Sequence, residues 1–200
     1  MGYKEIVEEA YSKTHGLIGQ NKDEIIACAQ FIESIKPQNI LEIGSQFGGT
    51  FYIWCGLSSG TRISVDLPYG PFGGVTKEAT NERNNIIKNR FNNVYFIEGD
   101  SHKQETVDSV SNILKEDKVD FLFIDADHTY EGVKSDYTLY KKFVKIGGYI
   151  GFHDINIIDE CQVDRLWNEL KGEKIEFNFH QSWVSWRTNI GGIGVIKNEN

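Results

Sequence analysis

The chain has 200 residues, of which 40% are hydrophobic and 12% aromatic, and this capacity for burial suits one folded domain and excludes a disordered tail. With 21 basic and 29 acidic side chains the formal net charge is −8, which argues against nucleic acid or an anionic membrane surface as a partner. No apolar stretch is long enough to span a bilayer, and the N-terminal residues are too acidic for a signal peptide. We therefore expect a single domain over 1–200. The three cysteines are scattered and odd in number, which predicts reduced thiols in a cytoplasmic protein.

Short apolar runs alternate with amphipathic segments along the chain. Several runs show no alternation of polar and apolar residues, which is typical of strands that are covered on both faces. The predicted strands lie at 39–43, 62–65, 94–97, 121–124 and 149–152. Two further strands, at 174–179 and 192–196, have no helix between them and predict an antiparallel hairpin at the sheet edge.

Helical periodicity fills the intervals between the strands. Asn21 followed by Glu24 predicts a capping box within the N-terminal helices of 1–36, which we expect over the carboxyl edge or a flank of the sheet. Three later apolar stripes have helical spacing: Val107, Val110 and Leu114; Val133, Tyr137, Tyr140 and Val144; and Val163, Leu166, Trp167 and Leu170, closed by Gly172 as a C-cap. This alternation predicts a doubly wound, Rossmann-like α/β fold over 37–200, with a seven-stranded, mostly parallel sheet.

Glycines and polar residues follow the first three predicted strands, where ligands bind in open α/β sheets. The first loop has glycines at Gly44 and Gly48, a spacing that differs from the G-x-G-x-x-G of dinucleotide folds and is equally typical of a plain strand-to-helix turn. Asp66 ends the second strand, where a carboxylate suits ribose hydroxyls. Asp100 and Ser101 follow the third strand and suit the amine of an adenine, although each acid alone is more often a helix N-cap.

Titratable side chains follow the fourth and fifth strands. Because parallel strands end side by side at one edge, we expect Asp125, His153 and Asp154 to converge on one divalent cation. The oxygen-rich ligand set favours Mg²⁺ or Mn²⁺, and the imidazole leaves Fe²⁺ and Zn²⁺ open. His128 suits a general base, because an unperturbed imidazole is largely neutral at pH 7.

Simpler roles are typical of several of these residues. A histidine at a strand end, such as His153, often bonds a backbone carbonyl. Asp127 is expected to cap the helix that begins near Glu131. Asp136 is either a partner that supports a site residue or, as we favour, an ordinary exposed helix acid.

The order and spacing of these motifs resemble class I S-adenosylmethionine-dependent methyltransferases, from about Asn39 to Ile155. The resemblance implies S-adenosylmethionine as the cofactor, with Glu42 orienting the first loop and contacting the methionine ammonium. The cofactor-binding residues that it implies are Glu42, Gly44, Ser45, Gly48, Asp66, Asp100, Ser101 and Asp125.

Asp125 and His128 are similar to the metal ligand and the base of metal-dependent O-methyltransferases of the catechol and sugar-modifying kinds. At 153–154 this chain has His-Asp, where catechol-type members have Asp-Asn and many sugar-type members Glu-Asp. The resemblance implies that Asp125 and His128 catalyse transfer of a methyl group to a hydroxyl of a small polyhydroxylated, sugar-containing acceptor. A NAD(P)-dependent oxidoreductase on a related fold and a non-catalytic nucleoside-binding module stay open as alternatives.

Two loops bear on the acceptor. The Gly- and Pro-rich loop 68–75 suits either a lid or a surface turn. In 180–190, Trp183 and Trp186 suit stacking on a sugar, packing of the terminal hairpin, or a subunit contact in a homodimer.

Overall fold

The computed structural model describes residues 2–14, 18–71, 73–156, 161–179 and 191–199. Seven strands in these ranges form one sheet in the order β3-β2-β1-β4-β5-β7-β6. They are β1 (Ile40–Ile43), β2 (Arg62–Asp66), β3 (Val94–Glu98), β4 (Val119–Ile124), β5 (Val144–His153), β6 (Lys174–Phe177) and β7 (Ile193–Lys197). The first five strands are parallel and β7 runs antiparallel to both β5 and β6, which confirms the predicted fold and terminal hairpin.

Helices cover both faces of the sheet. They are α1 (Tyr3–Lys13), α2 (Lys22–Ile35), α3 (Gly49–Leu57), α4 (Lys77–Arg90), α5 (Gln104–Leu114), α6 (Tyr130–Tyr140) and α7 (Val163–Glu169). Strand β4 shows the layering, because Phe121 and Phe123 pack with α1–α4 on one face while Leu122 and Ile124 pack with α5–α7 on the other. The N-terminal helices thus lie on a flank of the sheet, with α1 against α2 and α3. No helix in the described ranges is both long and apolar enough to cross a membrane.

Helix α2 begins as predicted, but without a capping box. The Asn21 side chain accepts a hydrogen bond from the backbone N–H of Asp23 at 2.8 Å. The Glu24 carboxylate does not return to Asn21 and instead accepts from the backbone N–H groups of Phe179 and Gly192, at 3.3 and 3.1 Å. This buried glutamate therefore ties α2 to the C-terminal strands rather than to its own helix end.

Two predicted helix ends were wrong by a few residues. Val144 is the first residue of β5, because a 3₁₀ turn over Lys141–Phe143 ends the preceding helix. The last helix stops at Glu169, since Leu170 is already extended, and Gly172 lies beyond the end with a φ of +136°. Trp183 and Trp186 lie outside the described residues, so the homodimer based on them stays a prediction.

Candidate functional site

Two cavities of about 260 Å³ each open at the carboxyl edge of the sheet. The first is lined by residues that follow β1 to β4, among them Gly44, Asp66, Asp100, Ser101 and Asp125. The second is lined by Gln20, Ser45, Thr50, Asp125, His128, His153 and Asp154. Gly44, Gln46 and Asp125 line both, so the two cavities meet at the end of β1 and β4.

Gly44 allows these two strand ends to close on each other. Its φ is +86°, and a Cβ placed on it would lie 2.1 Å from the backbone oxygen of Asp125. Its N–H donates to the carbonyl of Val65 at 2.8 Å, while the N–H of Asp125 donates to Ile43 at 2.8 Å. Only glycine fits this turn, which holds the β1 loop against the β4 end.

Asp66 lines the first cavity, but an arginine that the sequence analysis missed engages its carboxylate. Arg83 in α4 donates to Asp66 Oδ2 at 2.7 Å, and both side chains are less than a tenth exposed. Asp66 Oδ1 accepts from the N–H groups of Ser45 and Gln46, at 3.2 and 3.3 Å. Helical spacing in the sequence could have identified Arg83, because it lies on the same buried face of α4 as Thr80 and Ile87.

Glu42 is fully buried beneath the loop that follows β1. Thr50, which lines the second cavity, donates a hydrogen bond to Glu42 Oε1, and Oε2 has no hydrogen-bond partner among the described residues. Burial raises the pKa of Glu42 well above its usual range. Glu42 itself lines neither cavity, and its contact with the site runs through Thr50.

The Gly-rich loop after Asp66 forms a wall of the first cavity. Residues 70, 71, 73 and 74 line it together with Leu67. Gln46 Nε2 donates to the carbonyl of Gly73 at 3.0 Å, which ties this loop to the one that follows β1. The loop is therefore part of the site rather than a detached surface turn.

Asp136 is buried, contrary to the prediction that it is an exposed helix acid. Its Oδ1 lies 3.3 Å from Nε2 of His102, a residue that lines the first cavity beside Asp100 and Ser101. Asp100 Oδ1 in turn accepts from the backbone N–H of His102 at 2.9 Å. The contact with Asp136 raises the pKa of His102 to about 9, against the opposing effect of partial burial.

This pair predicts a loss of stability at alkaline pH. The folded pKa of His102 is about 9, against 6.5 for a free imidazole. Its contribution to the free energy of unfolding is therefore complete below about pH 6.5 and is lost as the pH rises through about 9. The charged groups that face it are Asp136, Asp100 and Asp127. We expect the free energy of unfolding to fall by about 1–2 kcal/mol. This is less than the full pKa shift would give, because solvent screens the partly exposed imidazole. Thermal melts across this range should show the loss in the wild type and a much flatter profile in Asp136→Asn. An unchanged slope in that variant would contradict the assignment.

Asp125, His153 and Asp154 meet in the second cavity as predicted from the strand ends, and His128 joins them. Asp125 Oδ1 lies 3.3 Å from both His128 Nε2 and His153 Nδ1. Asp154 Oδ2 lies 3.3 Å from His153 Nδ1 and 3.6 Å from His128 Nδ1. Gln20, which the sequence analysis did not single out, donates its amide N–H to Asp125 Oδ2. His153 thus faces two carboxylates rather than a backbone carbonyl.

Electrostatic coupling shifts the pKa values of this cluster. Burial alone would raise the pKa of Asp125, but the charges and hydrogen bonds of His153 and His128 outweigh it and hold that pKa well below its usual range. Burial opposes the charge of His153, yet Asp125 and Asp154 raise its pKa well above 6.5. The hydrogen bond to Asp125 likewise raises the pKa of His128. The imidazole of His128 is therefore perturbed, because the neighbouring carboxylate stabilises its charged form.

The donor atoms of Asp125, His153 and Asp154 fit a divalent cation. They all lie within 4.8 Å of one another, and Nδ1 is the nitrogen of His153 that faces both carboxylates. Two carboxylates and one imidazole are ligands that Mn²⁺ and related cations accept. The three side chains are about one tenth exposed, so water and a small ligand can reach them.

Asp127 supports a helix cap but is not the cap itself. Thr129 is the N-cap of α6, and its Oγ1 accepts from the N–H of Gly132 at 3.1 Å. Asp127 Oδ1 accepts from the N–H and the Oγ1 of Thr129, at 2.9 and 2.7 Å. The predicted capping role belongs to the next hydroxyl along the chain, which reaches the first turn of the helix.

A family model described as a methyltransferase domain matches residues 41–155, more than half of the chain. The protein belongs to this methyltransferase family. The matched range begins within β1 and runs just past β5, and thus includes the strand ends that line both cavities. It does not include Gln20 or the N-terminal helices.

One curated relative is similar over a short segment, and a solved structure is similar over most of the chain. Uncharacterized protein R132 of Acanthamoeba polyphaga mimivirus is 56% identical over 36 residues, which are 18% of this chain and only 16% of that curated relative. An O-methyltransferase from Bacillus cereus in complex with S-adenosylhomocysteine is 18% identical with a TM-score of 0.65, over 96% of this chain and 90% of that one.

Two further solved structures are similar at lower identity. TomG of Streptomyces achromogenes, an O-methyltransferase involved in tomaymycin synthesis and solved with S-adenosylmethionine, is 11% identical with a TM-score of 0.64, over 97% and 90% of the two chains. An rRNA methylase of Streptococcus thermophilus is 9% identical with a TM-score of 0.62, over 91% and 100%. These likenesses show the fold that the chains share.

Proposed function

We propose that this methyltransferase takes its methyl group from S-adenosylmethionine and transfers it to a hydroxyl of a small polyhydroxylated, sugar-containing acceptor, assisted by Mg²⁺ or Mn²⁺. One observation carries the proposal: the two cavities meet at Gly44, Gln46 and Asp125. Methyl transfer needs a donor and an acceptor held in line, and two adjoining cavities suit that requirement.

The first cavity suits the nucleoside part of the donor. Asp66 is proposed to accept from the ribose hydroxyls, although Arg83 and the backbone already share its carboxylate. Asp100 and Ser101 are proposed to face the adenine. Glu42 is proposed to contact the methionine ammonium, because its Oε2 has no hydrogen-bond partner in the described part of the chain. When bound, S-adenosylmethionine supplies a methyl group activated by its sulfonium.

The remaining cofactor-binding assignments belong to the loop after β1. Ser45 and the neighbouring N–H groups are proposed to hold the methionine part, with Gly48 opening α3 at a φ of +78°. Both solved O-methyltransferases described above contain S-adenosylmethionine or S-adenosylhomocysteine, which supports the same cofactor for this chain.

The second cavity suits the acceptor and the proton transfer. His128 is proposed to take the proton from the acceptor hydroxyl, while Asp125 orients the imidazole through the 3.3 Å contact with Nε2. Asp125, His153 and Asp154 would hold the cation. When bound, it supplies a Lewis acid that lowers the pKa of the acceptor hydroxyl.

The lining of the second cavity favours a polyhydroxylated acceptor. Amide, hydroxyl, carboxylate and imidazole groups surround it, and few apolar side chains contribute. The net charge of −8 supports a small molecule or glycan over nucleic acid or a membrane. An rRNA methylase is similar in fold to this chain, so the class of acceptor depends on the site residues and not on the fold.

Two alternatives have less support. A NAD(P)-dependent oxidoreductase would need a dinucleotide loop, and the glycines after β1 fall at Gly44, Gly48 and Gly49 instead. A non-catalytic nucleoside-binding module would have no use for the cluster of Asp125, His128 and Asp154.

Transfer of a labelled methyl group tests the proposal. We expect label from S-adenosylmethionine to reach a sugar hydroxyl in a panel of sugars, catechols and RNA, with Mg²⁺ or Mn²⁺ present. Removing the cation with a chelator should lower the rate at least about tenfold. Label found only on RNA would contradict the acceptor class, and a rate that the chelator leaves unchanged would contradict the role of the cation.

A further inference from the structure

A thiol lies beside the second cavity, and the chemistry proposed above does not use it. Cys161 is half-buried and free, while Cys28 and Cys55 are fully buried in the core. Cys161 precedes α7, close in space to the ends of β4 and β5. Its position places a sulfur donor next to the imidazole and carboxylate groups of the site.

Two contacts hold Cys161 in this position. The N–H of the next residue, Gln162, donates to the carbonyl of His128 at 2.8 Å. The Sγ of Cys161 lies 3.9 Å from the carbonyl oxygen of Asp154. The segment is thereby fixed to the residues that follow β4 and to those that follow β5.

The side chains of His128, Asp154 and Cys161 form a compact set of donors. One nitrogen, one carboxylate oxygen and one sulfur all lie within 4.8 Å of one another. His128 Nδ1 and Asp154 Oδ2 are 3.6 Å apart. Two ligands of one tetrahedral Zn²⁺ lie about 3.3–3.8 Å apart, so this pair already has the required spacing and the thiol needs a shift of at most about 1.5 Å.

We propose that His128, Asp154 and Cys161 form a second cation site, which takes Zn²⁺ or a similar borderline-soft ion in preference to Mg²⁺. Sulfur and nitrogen donors select such ions, whereas Mg²⁺ prefers oxygen alone. On binding, the thiol of Cys161 releases its proton to solvent and the thiolate bonds to the ion, with water in the fourth position. The site shares only Asp154 with the set of Asp125 and His153.

A consequence for activity rests on the proposed function. An ion held by His128 removes the base from the reaction, so Zn²⁺ is expected to inhibit methyl transfer even when Mg²⁺ is present. The inhibition should be weaker in Cys161→Ser, because that variant keeps His128 and loses the sulfur donor.

Cobalt spectroscopy tests the site without any assay of activity. Titration of the purified protein with Co²⁺ should produce a saturable thiolate-to-cobalt charge-transfer band. Zn²⁺ should remove the band and excess Mg²⁺ should not. Cys161→Ser should abolish the band and weaken Co²⁺ binding at least about tenfold, whereas the matched control Cys28→Ala should keep it.

The remaining outcomes separate this inference from the proposed function. His128→Asn should also lose the band. This second ligand variant keeps the test valid if Cys161→Ser fails to fold. Asp125→Asn should keep the band and lose Mn²⁺ binding. Absence of the band in the wild type, or its survival in Cys161→Ser, would overturn the site. Failure to bind S-adenosylhomocysteine with the band intact would overturn the proposed function alone.

Discussion

Replacing His128 with alanine is expected to lower methyl transfer by about 10²–10⁴-fold while leaving the affinity for S-adenosylhomocysteine nearly unchanged. The imidazole lines the second cavity and not the first, and it contacts Asp125 and Asp154. Its loss therefore removes the proposed proton acceptor without altering the first cavity. Steady-state rates measure the first effect, and calorimetric titration measures the second.

His128→Gln is the matched control for this variant. Its amide fills similar space and forms hydrogen bonds, yet it cannot take a proton, so it should be as inactive as the alanine variant. Activity near the wild-type rate in His128→Gln would show that the residue orients groups instead of accepting a proton. Loss of S-adenosylhomocysteine binding in the alanine variant would contradict the division between the two cavities.

Gly44→Ala is expected to destabilise the fold by about 3–5 kcal/mol and to abolish cofactor binding. A Cβ at this position meets the backbone of Asp125 at 2.1 Å, so the ends of β1 and β4 must separate. The φ of +86° adds the strain of a left-handed alanine. Thermal unfolding should show a decrease in Tm of roughly 10 °C, and calorimetry should show no binding of S-adenosylhomocysteine.

Gly147→Ala is the control that separates the backbone strain at Gly44 from its steric clash with Asp125. Gly147 has a similar φ of +80°, but no atom of the described residues lies within 4 Å of a Cβ built there. This control carries the backbone strain alone and should cost about 1–2 kcal/mol with normal ligand binding. Equal losses of stability in the two variants would show that the close approach at Gly44 has no effect of its own.

The strand ends could be predicted from the sequence because local signals define them. Apolar runs mark the strands, and parallel strands that end at one edge bring their next residues together. Asp125, His153 and Asp154 were therefore expected to meet, and the structure brings them within contact distance, with His128 beside them. The antiparallel hairpin followed from the missing helix between the last two strands.

The partners of the site residues could not be predicted, because they come from distant parts of the chain. Gln20 reaches Asp125 across 105 residues, and Arg83 reaches Asp66 from a different element. Asp136 resembles any acid on a helix until α6 packs against the loop that holds His102. The pKa values of the histidines depend on these contacts, so they too became visible only in the folded chain.

Calorimetric titration with S-adenosylhomocysteine, with NAD as the comparison ligand, tests the central claim most directly. We predict saturable binding of S-adenosylhomocysteine at one equivalent and no binding of NAD, because Asp66 and Asp100 line the first cavity and the glycines after β1 lack the dinucleotide spacing. Absence of S-adenosylhomocysteine binding to protein shown to be folded would contradict the account, and the acids at the strand ends would then serve only the fold.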